Sequence, residues 1–182
     1  MIDYLKIISK YINPQTTTYH KYIIHSVLVT TDALQIAKNL NLDKESLDFI
    51  EEASMLHDIG ICKVQEYRKD CGGNLPYICH GVEGAKILRS EGLEKHALVA
   101  ERHNGVGIFK DEIISKNLPL PPKDYLPISI EEEIIGFADI FYSKSLAKLW
   151  DKKSIEEARE EISVFSDQHE KLFDEKVRKF LG

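Results

Sequence analysis

The chain has few cysteines, no long apolar run and no excess of positive charge, and each shortage removes a class of protein. Three cysteines, Cys62, Cys71 and Cys79, stand in 182 residues. An odd number without CxxC spacing indicates neither a disulfide framework nor a zinc ribbon and fits reduced thiols. No stretch approaches the ~18 consecutive apolar residues of a membrane-spanning helix. The opening MIDYLKIISKYI interrupts its apolar residues with Asp3, Lys6 and Lys10, whereas a signal peptide needs ~7 to 15 apolar residues in a row. The expectation is a cytoplasmic protein with no membrane contact. Lysine and arginine number 24 against 30 acidic residues, a formal charge of −6. Without a cationic field to release counterions, long DNA or RNA is not an expected partner.

What is present is 43% hydrophobic and 30% charged, the composition of a globular chain about one domain long. Helical spacing dominates. Ile2, Leu5, Ile8 and Ile12 share one helix face before Pro14, and a second helix is expected over 18–40. Asp43 is placed as the N-cap of a third, closed by Gly60 in the left-handed conformation glycine tolerates. Residues 61–79 read as a loop, and 81–90 and 93–103 as short helices. The glycine- and proline-rich 104–127 reads as irregular, with one turn near 111–115, and is a candidate rim or lid. Ser129-Ile-Glu-Glu132 and Ser154-Ile-Glu-Glu157 both have the capping-box form. The first helix is expected to reach Trp150, and the second, broken near Ser166, leads to a terminal helix ending around Phe180. The fold expectation is all-α, one domain over 1–182 with a core at about 18–150 and C-terminal helices at 151–182.

Chemistry is carried by an ordered series, His25, His57-Asp58, His80, His103 and Asp139. At this composition chance supplies roughly 0.5 His-Asp dipeptides but only roughly 0.003 copies of His57-Asp58-Ile59-Gly60. At a helix end an imidazole and a neighbouring carboxylate can converge on one ion. Mixed imidazole and carboxylate donors select iron, manganese, nickel, cobalt or zinc. A buried Asp139 is costly unless neutralised, and a cation among imidazoles would neutralise it. The plain alternatives are a capping or salt-bridged Asp139 and a satisfied core His25.

With these residues the chain resembles the HD superfamily of metal-dependent phosphohydrolases, all-helical bundles with the motif H…HD…D, over about residues 20–143. Members with two further histidines before the last aspartate, such as HD-GYP phosphodiesterases and diadenosine tetraphosphatases, bind two metals, and His80 and His103 fill those places. The resemblance implies that Asp58 bridges, that His25, His57 and Asp139 hold one divalent ion, and that His80 and His103 hold the other. It implies hydrolysis of a phosphoester or phosphoanhydride of a small, nucleotide-like substrate by a hydroxide whose pKa the ions lower. Two other functions belong to the same scaffold: a mixed-valent di-iron oxygenase and a non-catalytic metal-binding signalling module.

The chain departs from those relatives in places. It has His80-Gly81-Val82 where GYP would stand, and Asn104 rather than a second histidine after His103, which disfavours cyclic-dinucleotide hydrolysis. Relatives often carry lysine directly after HDIG, whereas Ile61 and Cys62 precede Lys63. Lys63 and Arg102 are candidate phosphate contacts, with a solvated lysine and a surface salt bridge as the alternatives. His20, His96 and His169 receive no role, Cys79 is taken as an inert buried thiol, and Glu83 and Glu101 as surface carboxylates. The charged residues of 144–153 and 156–161 read as exposed helix faces. Leu146, Leu149, Trp150 and Ile155 are assigned to the core or to a homodimer interface.

Overall fold

The computed structural model describes residues 2–182. Ten α-helices follow one another: α1 Tyr4–Tyr11, α2 Thr17–Asn39, α3 Lys44–Leu56, α4 Arg68–Cys71, α5 His80–Ser90, α6 Glu94–Arg102, α7 Lys110–Ser115, α8 Ile130–Ile140, α9 Ile155–Ser163 and α10 Asp167–Leu181. Among the described residues there is no strand, only the isolated bridges Val64–Leu75 and Ile108–Tyr125. Six of the starts are set by side-chain caps. Asp3, Thr16, Asp43, Ser129, Ser154 and Ser166 each accept a backbone N–H of the first turn, which satisfies one of the orphan donors of a helix start. At Ser154 the reciprocal glutamate contact is also made. At Ser129 it is not: Glu132 instead accepts the Ile128 N–H at 2.9 Å.

Two apolar cores meet along α2. Val29, Ala33, Ile36 and Ala37 pack with residues of α3, α8, α9 and α10. Tyr22, nearer the start of the same helix, packs with residues of α1, α5, α6 and the chain around Ile59–Val64. His25 lies between these two sets. α3 likewise gives Ile50 and Ala53 to one core and Met55 and Leu56 to the other, so His57 follows directly on the seam.

Several sequence expectations are corrected. α3 stops at Leu56 and the chain continues as a 3₁₀ turn over Ile59–Lys63. Gly60 does not take the left-handed conformation. It is needed because a Cβ there would lie 1.9 Å from the His80 carbonyl oxygen and 2.3 Å from the Gly84 nitrogen. The segment 61–79 is not a plain loop but a chain of short turns, with α4 closed by Gly72 at φ 75°. The segment 104–127, read as a rim or lid, is anchored and lines a cavity with Asn104, Val106 and Ile108. Ile108, Ile113, Leu120 and Tyr125 form a small core with Cys79, and Lys123 reaches Glu101 at 2.9 Å.

α8 ends at Ile140, not near Trp150. The Ser143 hydroxyl accepts the Ser145 N–H at 3.1 Å, the local competition by which serine disfavours helix. Lys153 then closes the helix end: its N–H donates to Phe141 and its ammonium to the Ile140 carbonyl, both at 3.0 Å. Leu149 is buried, whereas Leu146 and Trp150 are exposed.

Candidate metal centre

Each residue of the ordered series lies at or near a helix end or on the seam between the cores. His25 is on α2, His57 and Asp58 follow α3, His80 opens α5, His103 follows α6, and Asp139 is in the last turn of α8. In a first group, His25 Nε2 lies 2.9 Å from Asp139 Oδ1 and 3.3 Å from Asp58 Oδ2. His57 Nε2 lies 3.4 and 3.5 Å from the same two oxygens. In a second group, His80 Nε2 and His103 Nε2 are 3.1 Å apart, each 3.4 Å from Asp58 Oδ1. The ligand atoms within each group lie inside 4.8 Å of one another.

The ring orientations test whether these atoms suit a cation. His57 Nδ1 faces the Ser54 carbonyl at 2.6 Å, His80 Nδ1 the Tyr77 carbonyl at 2.7 Å, and His103 Nδ1 the Ala100 carbonyl at 2.8 Å. A carbonyl only accepts, so each Nδ1 carries the proton and each Nε2 presents a lone pair inward. The lone pairs of His80 and His103 thus face one another, an arrangement a cation makes favourable. His57 Nε2, both ring nitrogens of His25, Asp58 Oδ1 and Asp139 Oδ1 are buried without a hydrogen bond, while Asp58 Oδ2 meets the Lys144 ammonium at 2.7 Å. Buried polar atoms are rarely left so. The inward-facing members of this set, the imidazole Nε2 atoms and the carboxylate oxygens, fit a metal ion, and backbone carbonyls that orient ligand imidazoles are a usual accompaniment.

The charge states agree. Burial drives the His80 imidazole down to about 3, against the pull of Asp58, so its lone pair stays free at neutral pH. Burial alone would raise Asp58 and Asp139, yet Lys144, followed by the neighbouring histidines, holds both well below the usual carboxylate range.

Lys144 is the residue that sequence reasoning missed. Expected on an exposed helix face, it instead has a side chain only 16% exposed, with Nζ 2.7 Å from Asp58 Oδ2 and 3.8 Å from Asp139 Oδ1. The helical register behind the expectation fails because α8 has already ended. The one signal that could have pointed to it is the need of two buried carboxylates for positive charge.

The other two candidates are not gathered into the cluster. Lys63 is exposed. Arg102 directs Nη1 to both oxygens of Glu132 at 3.1 Å, tying α6 to α8. Glu101 is buried, correcting its placement on the surface, and binds Arg89 at 3.3 Å and Lys123 at 2.9 Å. Glu83 pairs with Lys86 at 2.6 Å. Cys79, buried beside His80, directs its sulfur to the Pro119 carbonyl. Of the unassigned histidines, His96 faces Glu52 at 3.2 Å and His169 meets Ser166 at 2.7 Å. A groove of about 780 Å³ between residues 43–52, 95–98 and 129–132 is lined by none of the ligand candidates.

Residues 22–143 match the sequence profile of the HD domain. The chain belongs to the HD domain family. Over its full length it superposes on the HD domain of the L. monocytogenes phosphodiesterase PgpH, with a TM-score of 0.55 at 16% identity and 98% of that chain covered; a structure of the same domain with cyclic-di-AMP matches equally. These likenesses establish the helical bundle. An uncharacterized protein of Methanocaldococcus jannaschii is 42% identical over 119 residues, covering 63% of this chain and 62% of that one. A tRNA (cytidine(56)-2'-O)-methyltransferase of Thermoplasma volcanium is 35% identical over 151 residues, covering 78% of this chain but 40% of the other. The match therefore spans well under the whole length of these relatives.

Proposed function

We propose that the chain hydrolyses a phosphoester or phosphoanhydride of a small, nucleotide-like compound. In this reading two divalent transition ions are held by His25, His57, Asp58 and Asp139 on one side and by Asp58, His80 and His103 on the other. Asp58 is the observation that carries it: a buried carboxylate whose Oδ2 faces one group and whose Oδ1 faces the other. A carboxylate shared in this way suits two ions a few ångströms apart. Donors that are imidazole and carboxylate, with the Cys79 sulfur directed to the Pro119 carbonyl, favour iron, manganese, cobalt, nickel or zinc. Bound there, the ions would activate water for attack on phosphorus and offset charge on the phosphoryl oxygens.

The chain's own residues supply orientation. The carbonyls of Ser54, Tyr77 and Ala100 fix three rings, and the two cores hold the helix ends that present them. Beside the centre a cavity of about 350 Å³ is lined by Tyr77, Asn104, Val106, Ile108 and Phe165 among others, and the Tyr77 ring lies 4.6 Å from that of His80. It offers a mostly apolar place for the organic part of a substrate. The cyclic-di-AMP complex of the PgpH domain supports a small nucleotide. The methyltransferase name weighs little, since it belongs to a protein of which only 40% is matched.

Elemental analysis of protein never exposed to chelator should find about two equivalents of these metals. The same protein should release phosphate from at least one of a panel of nucleotides, with no oxygen uptake. Less than about a tenth of an equivalent, with no gain in thermal stability on adding any of these metals, would sink the metal reading. Oxygen consumption without phosphate release would move the function to oxidation.

A further inference from the structure

We infer that Lys144 is the substrate-binding cation of this centre, donating to a phosphoryl oxygen held over Asp58. The inference rests on the phosphohydrolase reading and extends it to a residue outside the ligand series. HDIG is followed here by buried Ile61, and Lys63, the nearest lysine, is exposed. The positive charge beside Asp58 therefore comes from another element, the irregular chain after α8.

Three observations support the assignment. First, the ammonium is delivered to the centre itself: 2.7 Å from Asp58 Oδ2, the oxygen that also faces His25 and His57, and 3.8 Å from Asp139 Oδ1. Second, the position is built. The Lys144 side chain is 16% exposed, and α8 ends early to place it there, with Lys153 closing the helix end behind it. Burying a lysine is costly, and a surface ion pair would need none of this. Third, ammonium is a compact charge with three donors and no acceptor. With divalent ions on the carboxylates, repulsion would turn that charge toward an anion, and a phosphoryl oxygen is the anion a phosphohydrolase would bring. The two other basic candidates are not available for this: Arg102 is committed to Glu132, and Lys63 lies outside the cluster.

The test uses full-length, metal-loaded protein and inorganic phosphate as the probe. Metal content is measured by elemental analysis and phosphate affinity by calorimetry, for wild type, Lys144→Met and Lys144→Arg. Lys144→Met should keep the wild-type metal complement, bind phosphate about 10-fold or more weakly, and lower turnover on the best nucleotide found. Lys144→Arg should recover most of the affinity, which a merely space-filling role would not require. Should the methionine variant lose its helical circular dichroism, Lys144→Gln replaces it. Phosphate affinity unchanged in a folded, metal-replete Lys144→Met protein overturns the assignment and leaves the hydrolase reading standing. Lys144-dependent phosphate binding by a wild type that holds no metal does the reverse. A metal-loaded wild type with no affinity for phosphate overturns the assignment as well.

Discussion

Asp58 is shared by both ligand groups and His80 belongs to one, so their substitutions should differ in metal stoichiometry. Asp58→Ala should lose both ions and all phosphate release while remaining helical, whereas His80→Ala should retain one ion per chain. Equal metal content in wild type and His80→Ala would refute a second ion at that position. A pH effect belongs to another buried imidazole. Burial lowers His96, with its Glu52 contact opposing, and an unfolded histidine titrates near 6.5. Above that pH neither state binds the proton. Below it the unfolded chain takes it up first, so stability falls as pH drops through 6.5. Wild type should therefore lose more thermal midpoint between pH 7.5 and 5 than His96→Gln does, and equal losses would exclude the histidine as the cause. The six residues that the structure gathers were named from their order along the chain and from the HDIG tetrapeptide, although Gly60 closes no helix there. Lys144 was not, because its role depends on where a helix stops rather than on any spacing along it.

At the scale of elements, the turn over Ile59–Lys63 and α5 approach so closely that only glycine fits at position 60. Gly60→Ala puts a methyl group into the His80 carbonyl and the Gly84 backbone, and neither obstacle is a flexible side-chain end. The helix must move, and it carries His80. Overpacking of this kind typically costs ~1 to 3 kcal/mol or more. The expected result is a lowered denaturation midpoint together with weakened metal binding. A wild-type midpoint and metal content would show that the contact relaxes freely. The glycine itself was readable from the sequence, but its reason was not, since a close approach between segments about 20 residues apart leaves no local trace. Helix starts were read well because caps are local chemistry, as at Asp43 and Ser154. The end of α8 was misjudged because Lys153 closes it from beyond the helix.

For the whole molecule, the question is whether 154–182 is an appendage to the HD domain or part of one folding unit. The family match ends at residue 143, yet Phe173 and Phe180 are buried and their rings lie 5.9 and 5.2 Å from that of Phe137. Phe173 also lies 6.2 Å from Phe141. Those partners belong to α8 and its end, the element that presents Asp139 and leads directly into Lys144. The C-terminal helices thus brace one wall of the candidate metal centre through these apolar contacts and through the Lys179–Glu133 ion pair at 2.6 Å. Periodicity could mark α10 as amphipathic without naming the face it covers, so this coupling was outside the reach of sequence. Phe173→Ala should cost ~3 to 5 kcal/mol, the usual range for a buried phenylalanine. Because the same core supports α8, urea unfolding followed by circular dichroism and by metal release should show one shared transition, shifted to lower denaturant in the variant. Two separated transitions, with metal retained through the first, would make α9 and α10 an independent unit and end the single-domain reading.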